Sequence, residues 1–227
     1  MIYAVIAAGG IGSRMGADKP KQYIEIGGKA IICHTAEKFL SNRRIDKVIV
    51  LVPEHWLVYT REIFSDSDVT VIPGGATRNE TLMNAIDYIE KTDGLDDSTY
   101  LITHDAVRPF VTDKIIDDNI DAVIKFGATG TVIPATDTVF QSKDGKVISS
   151  IPDRSELYQA QTPQCFKAIK LRELYNSLTD EEKDILTDGC KIYLLKGYDV
   201  HLVEGTVSNI KITYPHDLIV AEAILKS

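Results

Sequence analysis

The order of apolar and polar residues along the chain predicts alternating strands and helices. Ile2 to Ala8 is an unbroken apolar run of a strand's length, closed at once by Gly9 and Gly10. Such runs, bounded by turn residues, mark strands buried on both faces. From Ala30 to Leu40 the period becomes helical, with Ile32, Ala36, Phe39 and Leu40 on one face. Ile45 to Val52 reads as a second buried strand, interrupted only by Asp46 and Lys47 and ended by Pro53. Trp56 to Phe64 reads as a helix, and Val69 to Ile72 as a short strand running into Pro73-Gly74-Gly75. A helix follows this second glycine turn: Leu82, Ala85, Ile86 and Ile89 recur at helical spacing, and Thr77 or Asn79 can cap its start.

The alternation continues with a strand over Thr99 to Thr103, a helix over Lys114 to Phe126 and a strand over Thr129 to Pro134. It then breaks. Two strand-like pieces, TVFQS and KVISSI, flank Lys143-Asp144-Gly145, and Asp-Gly is a strong hairpin signal. This predicts a β-arm over residues 136–161. Val139, Phe140 and Ile148 on it need a cover, and a second copy of the chain is the obvious one. Thr162-Pro163-Gln164 ends the arm. Lys167 to Leu178 reads as a helix, Thr179 to Ile185 as the start of another, and Thr187 to Cys190 as a polar break. Strands over Val200 to Val203 and Ile210 to Thr213 and a helix over Leu218 to Leu225 close the chain. The pattern is that of one α/β domain, residues 1–227, with a largely parallel sheet and no linker or repeat.

Composition narrows the class. Hydrophobic residues make up 44% of 227 positions, enough for a sizeable core. No apolar run has the length of a membrane span, and the first apolar run has neither the flank nor the length of a leader peptide. The formal net charge of −8 argues against a general nucleic-acid surface. Cys33, Cys165 and Cys190 are an odd, sparse set that fits no zinc spacing and suits a reducing cytoplasm.

Chemistry concentrates in IYAVIAAGGIGSRMGADKPKQY, Ile2 to Tyr23, where a strand meets Gly9, Gly10 and Gly12 and then Arg14, Lys19 and Lys21. Glycines let a ligand reach the main-chain N–H groups, and clustered cations suit a triphosphate; a glycine-rich turn with solvated lysines is the plainer alternative. The Rossmann fingerprint is incomplete, because Met15 stands at its third glycine. That weakens a reading as an NAD(P)-dependent reductase, for which no catalytic acid or base is evident. A P-loop is absent too, since Gly28-Lys29 is followed by Ala30. Lysines standing well beyond a glycine turn suit a nucleotidyltransferase. Around the second turn, Arg78 and the helix start offer another polar pocket. Asp105 ends a strand, where sheets of this kind bind ligands, and could hold magnesium. Arg108 could grip a phosphate, or merely tie the loop to Asp105. His104 reads as structural.

Eight strings in order, AAGGIGSRMG, PKQY, GGATRNETL, HDAVRP, ATDT, DRSELYQAQTPQ, LTDGCKI and SNIKIT, resemble the cytidylyltransferase family that includes the 2-C-methyl-D-erythritol 4-phosphate and ribitol-5-phosphate enzymes. The resemblance covers nearly the whole chain. It implies a Rossmann-like three-layer α/β/α fold and a homodimer whose projecting arm helps close the partner's site. It implies CTP and a divalent cation such as Mg2+ as co-substrate and cofactor. By the same resemblance, Ala7, Ala8, Gly9 and Gly10 lie against CTP. Gly74, Gly75, Ala76, Thr77, Arg78, Asn79, Glu80 and Thr81 hold its cytosine and ribose, and Asp105, with Ala106 beside it, holds the metal. Arg14 and Lys21 match the cations that stabilise the transition state. Arg108, Thr138, Arg154, Thr187 and Lys211 match the sugar-phosphate positions. LTDGCKI looks more like the ribitol enzymes, because Thr187-Asp188 is typically followed by Glu-Ala-Ser in the methylerythritol ones. The expected acceptor is therefore D-ribitol 5-phosphate and the product CDP-ribitol, used in ribitol teichoic acids or capsules, with a ribulose-5-phosphate reductase as an implied partner. Methylerythritol phosphate is the alternative acceptor. Ser208 replaces an acid usual in the methylerythritol enzymes.

Overall fold

The computed structural model describes residues 1–10, 15–16 and 19–226. β1 (Ile2–Ala7) is followed by a 3-10 turn at Lys21–Tyr23 and a short ribbon of β2 (Glu25–Ile26) and β3 (Lys29–Ala30). Then come α1 (Ile31–Leu40), β4 (Lys47–Val52), α2 (Leu57–Ile63), β5 (Val69–Pro73), α3 (Arg78–Thr92) and β6 (Tyr100–Asp105). The second half holds α4 (Asp113–Phe126), β7 (Ala128–Pro134), β8 (Tyr158–Lys167), α5 (Ala168–Asn176), α6 (Asp180–Asp184), α7 (Gly189–Leu195), β9 (His201–Glu204) and α8 (Pro215–Leu225).

Seven strands form one sheet in the order β5-β4-β1-β6-β8-β7-β9. Neighbouring pairs are parallel except at β8, which runs against both β6 and β7. Alternation along the buried strands divides their side chains between two faces. Ala4, Ile6, Val48, Val50 and Ile102 pack with α1 and α4 through Ile32, Phe39, Ile116 and Ile120. Tyr3, Val5, Ile49, Leu51 and Leu101 pack with α3, α5 and α7 through Leu82, Ile86, Leu171 and Ile192. The result is a three-layer α/β/α sandwich, with strand C-termini β1 and β6 side by side: Ala7 is in register with Asp105.

Four expectations change. Residues 158–167 are a central strand, so the last part of the expected arm belongs to the sheet. The arm itself is a loop joined by one bridge, Gln141 to Ser150, rather than by two strands. Asp144 Oδ1 closes its turn by accepting from the N–H groups of Lys146 and Val147 at 2.9 and 3.0 Å. That side chain satisfies the turn without a ladder. Ile210 to Thr213 is not a strand. Asn209 and Arg108 hold that segment, and Ile212 N–H donates to Val107 O at 2.9 Å. The polar break at 187–190 starts a helix, since Asp188 caps α7 by accepting from Lys191 N–H.

Candidate active site

A cavity of about 390 Å³ opens at the C-terminal ends of β1 and β6. It gathers four separate pieces of chain: Ala7 to Gly10 with Lys21 and Gln22, Gly75 to Arg78 with Thr81, Asp105 to Val107, and Lys211 with Thr213. At the first glycine turn, a Cβ built on Gly9 or Gly10 would meet nothing within 4 Å among the described residues, so these two positions present bare backbone to the cavity. Beyond them the 3-10 turn is anchored. Gln22 Nε2 donates to Ala8 O at 2.8 Å, and the Tyr23 hydroxyl shares a hydrogen bond of 2.7 Å with Thr60 Oγ1. Tyr23 also packs on Trp56 and Tyr59, with ring centroids 4.9 and 5.2 Å away. Those contacts hold the turn that carries Lys21 against the cavity.

The second glycine turn is closed by contrast. Its backbone donors at Gly75, Ala76 and Thr77 are taken by Thr81 Oγ1 and Glu80 Oε2, at 3.0, 2.8 and 3.2 Å. Thr77 and Glu80 complete a capping box at the start of α3. A Cβ at Gly75 would stand 2.4 Å from that of Glu80. This turn therefore contributes its shape and Arg78 rather than a nest of unpaired amides.

Asp105 is the centre of the charge pattern. Its Oδ1 accepts from Arg78 Nη1 at 2.5 Å, and its Oδ2 lies 3.3 Å from Arg108 Nε and 3.0 Å from Lys211 Nζ. Burial pushes the carboxyl up, but the charges of Arg78, Lys211 and Arg108 together hold it far below the usual carboxylate range. It stays ionised, and the surplus of cations around it leaves the cavity positive although the whole chain is acidic. His104, fully buried behind it, is pushed down to about 4 by desolvation and is neutral near pH 7.

Asp105 is the one carboxylate lining this cavity among the described residues, and no group of three or more His, Cys, Asp or Glu there could hold a metal. Magnesium binds one or two carboxylates together with phosphate oxygens. The residues thus fit an ion carried in by a triphosphate, with Asp105 free to join it only where a cation moves aside.

Of the residues singled out in the sequence, Ala7 to Gly10, Lys21, Gly75 to Arg78, Thr81, Asp105, Ala106 and Lys211 come together in the cavity. Gly74, Asn79, Glu80 and Arg108 lie just outside its lining, and Arg108 is buried beneath Asp105. Thr187 is exposed and lines a neighbouring cavity of about 460 Å³ with Arg78 and Asn79. Thr138 and Arg154 are exposed on the arm, away from the cavity of their own chain, and Arg154 Nη1 donates to Thr136 O at 2.9 Å. Arg14 lies outside the described residues. Gln22 and Asn209 carry positions that the sequence did not reveal; their place beside Lys21 in PKQY and two residues before Lys211 is the only signal there was.

The solved structures similar to this chain include the 2-C-methyl-D-erythritol 4-phosphate cytidylyltransferase of Francisella tularensis, 29% identical over 98% of each chain with a TM-score of 0.82. The 4-diphosphocytidyl-2C-methyl-D-erythritol synthase of Anaerococcus prevotii is 28% identical, with a TM-score of 0.81 over 100% of this chain and 96% of that one. The 2-C-methyl-D-erythritol 4-phosphate cytidylyltransferase of Thermus thermophilus is 27% identical over 100% of both, with a TM-score of 0.79. The family model described as IspD, 2-C-methyl-D-erythritol 4-phosphate cytidylyltransferase, matches residues 2–227. With its strand ends, glycine turn and cation cluster in one cavity, the chain belongs to the IspD family of cytidylyltransferases.

Proposed function

We propose that the protein transfers the cytidylyl group of CTP to a small alditol phosphate. The observation that carries this reading is the cavity itself, where bare glycine backbone faces Lys21, Arg78 and Lys211 around one ionised carboxylate. A phosphate oxygen of the acceptor attacks the α-phosphorus, the bond from that phosphorus to the β-phosphate oxygen breaks, and pyrophosphate leaves. The nucleophile is already an anion, so no general base is needed. His104 is neutral, buried and out of reach of the cavity. The obstacle is repulsion between two polyanions, and fixed cations at the developing charge are the remedy. Lys21 is assigned to the attacked phosphorus and Lys211 to the acceptor phosphate, and neutralisation of the triphosphate is assigned to Arg14. A divalent ion bound with the triphosphate would supply further neutralisation.

The exposed arm is assigned to a second copy of the chain. Phe140, Val147, Ile148 and Ile151 are 58, 66, 52 and 59% exposed, too apolar a group to face water. In such a homodimer Thr138 and Arg154 would reach the partner's cavity.

The comparisons favour methylerythritol 4-phosphate as the acceptor, since the matched family and the solved relatives carry that substrate in their names. D-Ribitol 5-phosphate, giving CDP-ribitol for a wall or capsule polymer, is the second reading, and it rests on the start of α7. A Cβ at Gly189 would stand 2.7 Å from Phe166 Cζ, so the Glu usual there in the methylerythritol enzymes has no room unless that ring moves. This acceptor would bring in a ribulose-5-phosphate reductase as supplier. Pyrophosphate release from CTP, measured with each acceptor in turn, decides. A higher kcat/KM with methylerythritol phosphate supports the first acceptor and a higher value with ribitol phosphate the second; no release with either removes the transfer reading.

A further inference from the structure

Behind Asp105 lies a buried ring of hydrogen bonds, none of whose other members lines the cavity. Thr162, on β8, is at its centre. Thr162 Oγ1 is 2.9 Å from His104 Nδ1 and accepts from Asp105 N–H at 3.1 Å. His104 Nε2 is 3.0 Å from Arg108 O. A carbonyl only accepts, so the proton of a neutral imidazole sits on Nε2, Nδ1 is then bare, and the Thr162 hydroxyl donates to it. That leaves its lone pairs for Asp105 N–H, and every hydrogen in the chain of bonds has one position.

The ring closes through the other side of the same residue. Thr162 O accepts from Asn209 Nδ2 at 2.8 Å, and Asn209 O accepts from Arg108 Nη1 at 2.8 Å. Arg108 Nε returns to Asp105 Oδ2 at 3.3 Å. His104 and Asn209 are 0% exposed and Thr162 is 4% exposed, so water does not compete for these bonds. Lys211, two residues beyond Asn209, meets the same Asp105 oxygen at the cavity. One threonine thus holds the strand end that carries the carboxylate and the segment that carries the amine.

We propose that Thr162 is a positioning residue for cytidylyl transfer, its hydroxyl and carbonyl fixing Asp105 and Lys211 relative to each other through His104, Arg108 and Asn209. The inference rests on the transfer reading above. Small misplacements of a reacting pair cost rate steeply, so the effect belongs in turnover and in the acceptor's KM rather than in the KM for CTP, whose glycine turn the ring does not touch.

Thr162→Val removes the hydroxyl at almost the same shape, and Thr162→Ser keeps it. The expected result is a kcat lower by about tenfold or more in Thr162→Val, recovery to within about threefold of wild type in Thr162→Ser, and an unchanged KM for CTP. Equal rates in wild type and Thr162→Val, or equal losses in the two variants, would overturn the proposal. The 15N imidazole shifts of His104 in the wild-type protein give a second test, independent of how the variants fold. A proton on Nε2 with bare Nδ1 is expected, and a proton on Nδ1 would break the ring. Wild-type protein that releases no pyrophosphate with any alditol phosphate ends the transfer reading instead, and the imidazole shifts then still decide the ring.

Discussion

Replacing Asp105 by Asn keeps the shape of the side chain and removes one negative charge from among three positive ones. Asp105 is 6% exposed and Arg108 8%. The remaining bonds of the Arg108 guanidinium go to the carbonyls of Asn209 and Ala160, which offer no countercharge. Leaving a buried charge without its partner typically costs about 3–5 kcal/mol. The Lys211 side chain is 43% exposed, so water screens its share to about 1 kcal/mol or less. The expected loss in Asp105→Asn is therefore about 4 kcal/mol, a large part of the roughly 5–15 kcal/mol that holds a domain together. Urea unfolding at pH 7, with a chelator and no metal present, measures it without screening the charges. The pH dependence has a definite sign. The Asp105 carboxyl is held below its ordinary value of 3.8, so its contribution is complete above about pH 5 and is lost as the pH falls towards its folded value. The gap between wild type and variant should narrow below about pH 4. A difference under about 1 kcal/mol at pH 7 would refute the reasoning, and would leave Asp105 as a group whose worth lies in a bound metal rather than in ordering cations.

Lys21→Ala should lower kcat about a hundredfold or more, the scale of losing one contact to developing charge, with an unchanged far-ultraviolet dichroism spectrum; near-normal turnover would remove Lys21 from the chemistry. Mixing Arg154→Ala chains with Lys21→Ala chains should restore part of the activity, because one cavity of the heterodimer would then have both groups; no recovery despite demonstrated subunit exchange would refute a shared site. Gly75→Ala should lower the melting temperature, since its Cβ would lie 2.4 Å from that of Glu80. Gly9→Ala, whose Cβ meets nothing within 4 Å among the described residues, should leave melting unchanged while raising the KM for CTP; the reverse pattern would mean that the two glycine turns have been assigned the wrong roles.

Strands β1 and β4 and helices α1, α3 and α4 were legible because each buries a face or a run whose period survives in the sequence. β8 was not. Its buried positions include Gln161, Thr162 and Gln164, which are polar because they serve the network behind Asp105 and the cap at Asp188. Pro163 in its middle argues against a central strand, and the ladder with β7 shifts register opposite it, between Gly130 and Val132, the kind of irregularity where a proline is tolerated in a sheet. The segment before α8 misled in the opposite way: Ile210 and Ile212 alternate like a strand, but the Arg108 and Asn209 side chains and one backbone bond from Ile212 to Val107, rather than a ladder, hold it. Within the site, motifs identified the lysines, the glycines and Asp105. They did not show that Glu80 and Thr81 occupy the donors of the second turn, because a capping box and a ligand-binding turn share the same residues. The partners of Asp105 come from positions 78, 108 and 211, a meeting that only the fold brings about.

The most direct test of the account follows the phosphorus atoms. In 31P spectra of CTP with the turned-over alditol phosphate, the account predicts one equivalent of pyrophosphate per CDP-alditol formed, and none of either without the acceptor. CTP hydrolysed to CMP regardless of acceptor, or left intact with every alditol phosphate, would contradict it.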